Sequence, residues 1–204
     1  MKQSAITLAI TGASGAMYGL RLLEQLIVAK QTVYLLVSAP AQIVIGMETD
    51  FKLPSRPLDM QAVLTERYQA KPGQLQVFGR EQWTAPIASG SAVPRAMVIC
   101  PCTSGTLAAI ANGLSRSLIE RSADVVLKER RLLILVHRET PLSAIHLENM
   151  LRLTQLGTLI LPANPGFYHH PQTINDLVDF IVARILDHLE ITHSLLPAWG
   201  EEKE

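Results

Sequence analysis

The segment from Thr11 to Gly19, Thr-Gly-Ala-Ser-Gly-Ala-Met-Tyr-Gly, has the composition of a loop that binds an anion. Its glycines let the backbone approach a ligand closely, and free N–H groups at the start of a following helix attract negative charge. Ser14 adds a hydroxyl group. The segment therefore predicts a loop, centred on Gly12 to Gly15, that holds the phosphate of a nucleotide-like cofactor. A tight strand-to-helix turn without a ligand is the alternative interpretation.

The sequence around this loop narrows the class of nucleotide. No Gly-Lys-Ser/Thr follows the glycines, so the loop is not a Walker A motif, and it does not match G-x-G-x-x-G either. A dinucleotide site also needs an acid near the end of the second strand, where it binds the ribose. The second predicted strand ends in Val37-Ser38-Ala39-Pro40, which disfavours NAD.

Three further polar segments follow predicted strands. The segment Pro101–Thr106 carries three hydroxyl groups and a glycine, which fits either a ligand contact or the N-cap of a helix. In the next segment, Arg138 can clamp a phosphate and Glu139 can act as a general acid or base whose pKa is tuned by burial. An exposed ion pair is the alternative for these two residues. The last segment, residues 162–171, offers Tyr168 as a hydrogen-bond donor to a phosphate oxygen.

Three other cationic side chains show weaker sequence evidence for a role in ligand binding. Arg121 and Lys128 lie seven residues apart in a predicted helix, on the face opposite its apolar residues. A solvated face is the first interpretation, and the pair gains a function only where a neighbouring subunit covers it. Arg184 lies at the edge of the apolar stripe of the last predicted helix, where a snorkelling side chain is the plain alternative to a ligand contact.

Short apolar strands without alternation, each followed by a helix, must position these segments. They predict an α/β fold: a three-layer, doubly wound, mostly parallel sheet of flavodoxin-like or Rossmann-like type, in which ligands bind beyond the carboxyl ends of the strands. Residues 39–95 are less regular, and we interpret them as an elaboration of one domain that spans residues 1–204. The predicted strands cover residues 5–10, 32–37, 96–100, 132–136 and 158–161. The predicted helices cover residues 20–29, 106–111, 118–130, 141–155 and 173–189.

Composition excludes several classes of protein. Among 204 residues, 18 basic and 18 acidic side chains cancel, which argues against a partner that is a nucleic acid or a membrane surface. Charged residues make up only 18% of the chain, a low share that favours a homo-oligomer.

The two cysteines and the start of the chain bear on location and metal binding. Cys100 and Cys102 flank one proline, too close for an ordinary disulfide, and fit small buried residues in a reducing, cytoplasmic protein. Neither these thiols nor the adjacent His169 and His170 predict a metal site. The sequence has no signal peptide and no apolar run of membrane-spanning length.

Taken together, the motifs from about residue 5 to residue 199 resemble the UbiX-type flavin prenyltransferases. The Leu-Lys-Glu-Arg-Arg and Arg-Glu-Thr-Pro blocks, in this order, are the specific part of the resemblance. One departure is the order Cys102-Thr103-Ser104-Gly105-Thr106, where the family more usually has Cys-Ser-Thr-Gly-Thr. The motifs that carry the resemblance are Gly12-Ala13-Ser14-Gly15-Ala16 with Tyr18-Gly19, Glu48-Thr49-Asp50, Pro101-Cys102, the run from Ala123 to Arg131, Arg138-Glu139-Thr140-Pro141, Gly166-Phe167-Tyr168-His169 and Ala198-Trp199.

The resemblance implies an activity, a flavin and partners. It implies a flavodoxin-like homododecamer that joins a dimethylallyl group from dimethylallyl phosphate to N5 and C6 of reduced FMN, without a metal. Dimethylallyl pyrophosphate stays open as the donor. The implied product is prenylated FMN, the cofactor of a UbiD-type decarboxylase.

The resemblance also implies roles for individual residues. Glu139, beside the substrate, and Ser14 would serve proton transfers, and Trp199 and possibly Trp83 would face the allylic group. The leaving phosphate would be held by Tyr168, Arg184, Arg121 and Lys128. The implied FMN contacts are Gly12, Ala13, Ser14, Ser38, Thr103, Ser104, Gly105, Thr106 and Arg138.

Two other functions are compatible with a flavin-binding fold. An FMN-dependent cysteine decarboxylase of the related flavoprotein family would need a catalytic histidine after the first helix and a Pro-x-Met-Asn loop. The chain instead has Pro162-Ala163-Asn164-Pro165, and its first histidine is His137. A flavin-storage module would need no base beside the flavin, so the Arg138–Glu139 pair speaks against it.

Overall fold

Six parallel strands form the central sheet of the computed structural model, which describes residues 5–196. The strand order is β3-β2-β1-β4-β5-β6, and every neighbouring pair is parallel. This is a doubly wound order of the Rossmann type. The strands are β1 (Ile6–Ile10), β2 (Val33–Val37), β3 (Leu75–Phe78), β4 (Ala96–Cys102), β5 (Leu132–His137) and β6 (Leu159–Ile160).

Helices cover both faces of this sheet, and for that reason its central strands are apolar without alternation. Leu8 packs into one apolar cluster with Leu23 and Ile185, while the next residue, Ala9, packs into a second cluster on the other face. The predicted three-layer α/β fold is confirmed. The helices are α1 (Ala16–Val28), α2 (Ala39–Glu48), α3 (Pro57–Tyr68), α4 (Ser104–Ala111), α5 (Leu118–Lys128), α6 (Ala144–Gln155) and α7 (Ile174–His188).

None of the described helices is long and apolar enough to span a bilayer.

Residues 39–95 are more regular than the sequence pattern indicated. They contain α2, α3 and β3, none of which was predicted from the sequence. The Ser38 hydroxyl accepts a hydrogen bond from the backbone N–H of Ala41 and caps α2, with Pro40 in the first turn. Serine before a helix and proline in its first turn both mark the N-terminus of a helix. The apolar periodicity of α2 itself is weak, because few of its residues are buried.

Two predicted helix starts also differ from the structure. Helix α1 begins at Ala16 rather than at residue 20. Its N-cap is Gly15, whose left-handed conformation ends the loop directly before the helix. Helix α6 begins at Ala144 rather than at residue 141, since Ser143 caps it by accepting from the backbone N–H of His146.

Cys100 and Cys102 lie inside the fold at the end of β4 and are fully buried free thiols. Burial raises the pKa of both, to about 12 for Cys102, so the thiols stay neutral at physiological pH. The interpretation of these residues as small buried side chains is confirmed.

The chain reverses its winding direction between β1 and β4. From β1 it proceeds outward to β2 and β3, whereas from β4 it proceeds to β5 and β6 on the other side. The loops that follow β1 and β4 therefore diverge and leave a crevice at the carboxyl ends of these strands. The buried Thr11 hydroxyl joins the two loops: it donates to the Pro101 carbonyl (2.7 Å) and accepts from the Thr103 backbone N–H (2.9 Å).

The Thr11 hydroxyl can be tested against a second buried threonine on the same segment. Thr11→Val should lower the free energy of unfolding by about 1–3 kcal/mol, because it leaves the Pro101 carbonyl and the Thr103 N–H without their partner. Thr7→Val is the matched control: the Thr7 hydroxyl is buried with no hydrogen-bond partner among the described residues, so its removal should be neutral or stabilising. Denaturant unfolding of both variants measures the difference, and equal destabilisation would contradict this assignment.

Candidate active site

A cleft of about 240 Å³ opens at the carboxyl ends of β1, β2 and β4. Four of the residues predicted to bind the cofactor line it, namely Gly12, Ser38, Thr103 and Thr106. Ala13 is buried at the back of the same loop, and Gly105 is exposed in the first turn of α4. Phe78, the last residue of β3, and Arg80, just after it, also line the cleft and had no signal in the sequence.

Glycines shape the loop after β1 in two ways. A Cβ atom on Gly12 would lie 2.4 Å from the Cβ of Pro40, so only glycine allows this close approach to α2. Gly15 has a φ of 100°, in the left-handed region that favours glycine. The loop is therefore a tight strand-to-helix turn, and the binding of a phosphate by it stays a prediction.

The carboxylate of Glu48, at the end of α2, occupies the N-terminus of α1. It accepts hydrogen bonds from the backbone N–H groups of Gly15 (2.9 Å) and Ala16 (2.8 Å). Negative charge at this position is favoured by the helix dipole and by the unpaired N–H groups of the first turn. Two amides that a phosphate could have used are thus bound to the protein's own carboxylate. Sequence reasoning found Glu48 only within a motif and gave it no role.

Arg138 connects the loop after β5 to the loop after β1. Its Nε donates to the backbone carbonyl of Ser14 at 3.2 Å, and its backbone N–H faces the carbonyl of Cys102 at 3.4 Å. The guanidinium therefore lies beside Ser14 at the same sheet edge as the cleft. Ser14 and Arg138, both predicted to bind FMN, are thus brought together within one chain, and their contacts with FMN stay predictions.

Glu139 joins this group through the first residue of α4. The Ser104 hydroxyl donates to Glu139 Oε2 at 2.9 Å, and the Thr140 backbone N–H donates to Oε1 at 3.2 Å. These hydrogen bonds lower the pKa of Glu139, so the side chain is a carboxylate at neutral pH. The expectation that burial tunes this pKa was wrong, because the side chain is only partly covered and hydrogen bonds set the direction of the shift. The carboxylate has the protonation state of a general base.

Arg121 and Lys128 lie away from this group. Helix α5 begins at the cleft, which Ser117 and Ile119 line, and ends at Lys128, just before β5 starts at the opposite edge of the sheet. Seven residues of helix separate the two cations by about 10 Å along the axis. Arg121 pairs with Asp124 (2.6 Å) and Lys128 with Glu129. Within one chain, Lys128 does not reach the cleft.

These cations instead face a segment that follows β3. Arg121 Nε donates to the backbone carbonyl of Ala88 at 3.1 Å, and Gly90 lies against the Lys128–Glu129 pair. Trp83 belongs to the same connection and is 47% exposed. The solvated face predicted for α5 is thus partly covered by its own chain.

Tyr168 lies on the loop after β6, and Arg184 lies on α7. Tyr168 is 71% exposed, and the neighbouring residues Gly166 and His169 pack against Phe180. Arg184 lies one helical turn beyond Phe180 and pairs with Asp187 at 2.7 Å. The loop therefore packs against α7 at Phe180. Trp199 lies outside the described residues, and its role stays a prediction.

Across residues 5–196, no group of three or more His, Cys, Asp or Glu side chains is placed to hold a metal ion.

The crevice at the winding reversal and its polar loops define a ligand-binding α/β protein of the doubly wound class, and comparison with known proteins specifies it. The Flavoprotein family model matches residues 1–186. The flavin prenyltransferase UbiX of Pseudomonas aeruginosa is 60% identical over 197 residues, which cover 97% of this chain and 94% of that protein. The chain therefore belongs to the flavoprotein family and, within it, to the UbiX-type flavin prenyltransferases. The predicted family membership and enzyme class are confirmed.

Solved structures agree with the fold. The chain is similar to AnUbiX (PadA1), crystallised with FMN and dimethylallyl pyrophosphate, with a TM-score of 0.87 and 39% identity over 99% of this chain and 100% of that one. It is also similar to a dodecameric, FMN-dependent UbiX-like decarboxylase from Escherichia coli O157:H7, with a TM-score of 0.85 and 38% identity over 96% of this chain and 99% of that one.

The role of Glu48 at the start of α1 can be measured as stability. Glu48→Ala should lower the free energy of unfolding by about 1–2 kcal/mol, because two N–H groups lose a charged acceptor. Glu48→Gln should cost less, since the amide oxygen still accepts but the charge at the helix N-terminus is lost. Glu66→Gln on the exposed face of α3 is the control and should change little. A Glu48→Ala variant as stable as the control would refute the cap.

Proposed function

We propose that the protein transfers a dimethylallyl group from dimethylallyl phosphate to N5 and C6 of reduced FMN and supplies the prenylated FMN to a UbiD-type decarboxylase. The observation that carries the proposal is the hydrogen-bonded group of Arg138, Ser14, Glu139 and Ser104 at the edge of the cleft. It combines a cation, a carboxylate base and hydroxyl groups at one site. Membership of the UbiX-type family supports the same reaction.

The residues of the cleft fit FMN. Amides and hydroxyl groups at the ends of three strands supply donors for a phosphate and for the polar edge of a ring, and Arg138 adds a positive charge. The flavin, when bound, supplies the nucleophilic nitrogen and carbon of the reaction. In this proposal FMN is held by Gly12, Ala13, Ser14, Ser38, Thr103, Ser104, Gly105, Thr106 and Arg138.

Four side chains are assigned to the phosphate of the substrate: Arg121, Lys128, Tyr168 and Arg184. Breaking an allylic C–O bond leaves negative charge on phosphate, and fixed cations stabilise it without a metal ion. The three cations pair with carboxylates on or beside their own helices. Such partly exposed ion pairs are worth only about 0–1 kcal/mol each, so a phosphate can replace them.

The positions of these groups support a site that is completed by a second subunit. Lys128 lies at the opposite sheet edge from Ser14 and Arg138, so another copy of the chain must bring it to a cleft. Large apolar side chains are exposed on α6 and on the loop after β6, for example Ile145 at 66% and Phe167 at 68%. Burying such side chains favours association. We therefore propose a homododecamer, as in the dodecameric structural relative.

Glu139 and Ser14 are assigned to proton transfers. Closing a ring onto the flavin carbon releases a proton, and the ionised Glu139 can accept it. Trp83 and Trp199 are assigned to the allylic group, whose developing positive charge an aromatic face stabilises by up to about 2 kcal/mol.

The reaction can be tested by the mass of the flavin. Anaerobic incubation of the protein with reduced FMN and dimethylallyl phosphate should add one dimethylallyl unit to the released flavin, and parallel runs with the pyrophosphate identify the donor. Unmodified flavin from folded, FMN-loaded protein would overturn the proposal. Release of CO₂ from a C-terminal cysteine peptide would then favour the cysteine decarboxylase.

Glu139→Gln separates binding from chemistry. The amide keeps the size of the side chain but cannot accept a proton at neutral pH, so FMN should still bind while product formation falls by about 10²-fold or more. Flavin titration and mass spectrometry measure the two effects, with Glu66→Gln as control. Full turnover by Glu139→Gln would remove this residue from the mechanism.

Mixing subunits tests the shared site. Lys128→Gln and Glu139→Gln assemblies should each be nearly inactive, because each lacks one group at every site. Hybrid assemblies from co-expression should regain activity, since some sites then combine intact Lys128 from one chain with intact Glu139 from another. Hybrids no more active than their parents would place both residues in the same chain's site.

A further inference from the structure

His137, the last residue of β5, is a buried titratable side chain without a part in the proposed function. It is 2% exposed, and its Nε2 lies 3.1 Å from the Ser104 hydroxyl oxygen. The Ser104 proton points the other way, toward Glu139 Oε2. Because one hydroxyl has a single proton, His137 must be the donor to Ser104, which fixes the imidazole as the Nε2–H form.

The surroundings of His137 keep it neutral. Burial, and secondarily the nearby His146 of α6, lower its pKa, while Glu139 acts in the opposite direction and Arg138 adds to the lowering. The His146 ring centre is 5.9 Å away. Ser104 of α4 also faces the imidazole, and Cys102 of β4 is in register with His137 as a thiol that burial keeps neutral. At neutral pH the arrangement is a neutral N–H donor, a hydroxyl and a carboxylate in series.

We propose that His137 is a positioning residue that acts on Glu139 through Ser104. A donor to the Ser104 oxygen polarises its O–H and strengthens the bond that the hydroxyl gives to the carboxylate, since hydrogen bonds in series reinforce one another. The relay fixes the direction of Oε2 and keeps Glu139 ionised. This inference rests on the proposed role of Glu139 as a base.

The relay links two features of the sequence that are not adjacent. Ser104 is the first residue of α4, and His137 is 33 residues further on. The hydroxyl of residue 104 reaches Glu139 only because β4 and β5 are neighbours in the sheet. In this proposal, the orientation and pKa of Glu139 therefore depend on Ser104 and His137, which lie outside the Arg-Glu-Thr-Pro block.

Removal of the relay should raise the pKa of Glu139. The Ser104 hydrogen bond is the largest cause that lowers the Glu139 pKa, so its loss raises that pKa. Because Glu139 must be ionised to act as a base, the activity of the enzyme then begins to fall at a higher pH when the solution is acidified. We expect the acidic limb of kcat/KM to move up by about 0.5–1 pH unit in Ser104→Ala and by a smaller amount in His137→Leu.

The experiment compares the pH dependence of flavin prenylation in four variants and the wild type. His137→Gln keeps an N–H donor near the position of Nε2 and should restore the wild-type limb, whereas His137→Leu should not. The double variant His137→Leu/Ser104→Ala should shift no further than Ser104→Ala alone, because both changes break one relay. A His137→Leu profile that superimposes on the wild type, or shifts that add in the double variant, would overturn the inference.

A second readout separates this inference from the proposed function. Infrared difference spectra of the carboxylate band, wild type minus Glu139→Gln, give the titration of Glu139 without any reaction. A higher midpoint in His137→Leu supports the relay even where no flavin is prenylated, and an unchanged midpoint rejects it even where the wild type is active. If His137→Leu does not fold, His137→Phe, which also lacks the N–H donor, carries the same test.

Discussion

The buried hydroxyl of Thr11 holds together the two loops on which the site depends. It binds the Pro101 carbonyl and the Thr103 N–H at the point where β1 and β4 send the chain in opposite directions. The loop after β1 carries Ser14, and the loop after β4 carries Ser104, so their spacing fixes the width of the crevice. Arg138 and Glu139, from the next strand, then contact one loop each. The parallel sheet thus determines which polar groups can meet.

Much of this arrangement follows from the sequence. Strands such as Ile6–Ile10 are apolar throughout because both of their faces are covered, and such runs predicted a parallel sheet with a helix on each side. Ligands in these sheets lie at the carboxyl ends of strands, so the segments around Ser14, Ser104 and Arg138 were found by position alone.

The parts that sequence reasoning missed depend on contacts between distant residues. Glu48 binds amides more than thirty positions earlier, and His137 meets Ser104 across a strand pair. No local pattern marks either residue, since a single acid or histidine fits many environments. The second and third helices were missed for a different reason: few of their residues are buried, so their apolar periodicity is faint.

In the proposed site, the cations are the part that a single chain does not supply. Arg121, Lys128 and Arg184 each pair with a nearby carboxylate, and Lys128 lies at the far edge of the sheet. Ordinary surface ion pairs have the same appearance, so neither their sequence spacing nor their contacts in one chain identify a phosphate site. The proposed second copy is supported instead by the position of Lys128, away from the cleft, and by the exposed apolar side chains of α6 and of the loop after β6.

Amide hydrogen exchange with and without FMN tests whether the flavin binds at the carboxyl ends of β1, β2 and β4, because it reports where on the chain exchange is slowed. A second cavity of about 400 Å³, between residues 110–114 and 127–130, gives an alternative location. We expect FMN to slow exchange in residues 11–16, 38–41 and 102–107 and to leave residues 110–114 of the second cavity unchanged. Protection confined to residues 110–114 and 127–130 would contradict this expectation.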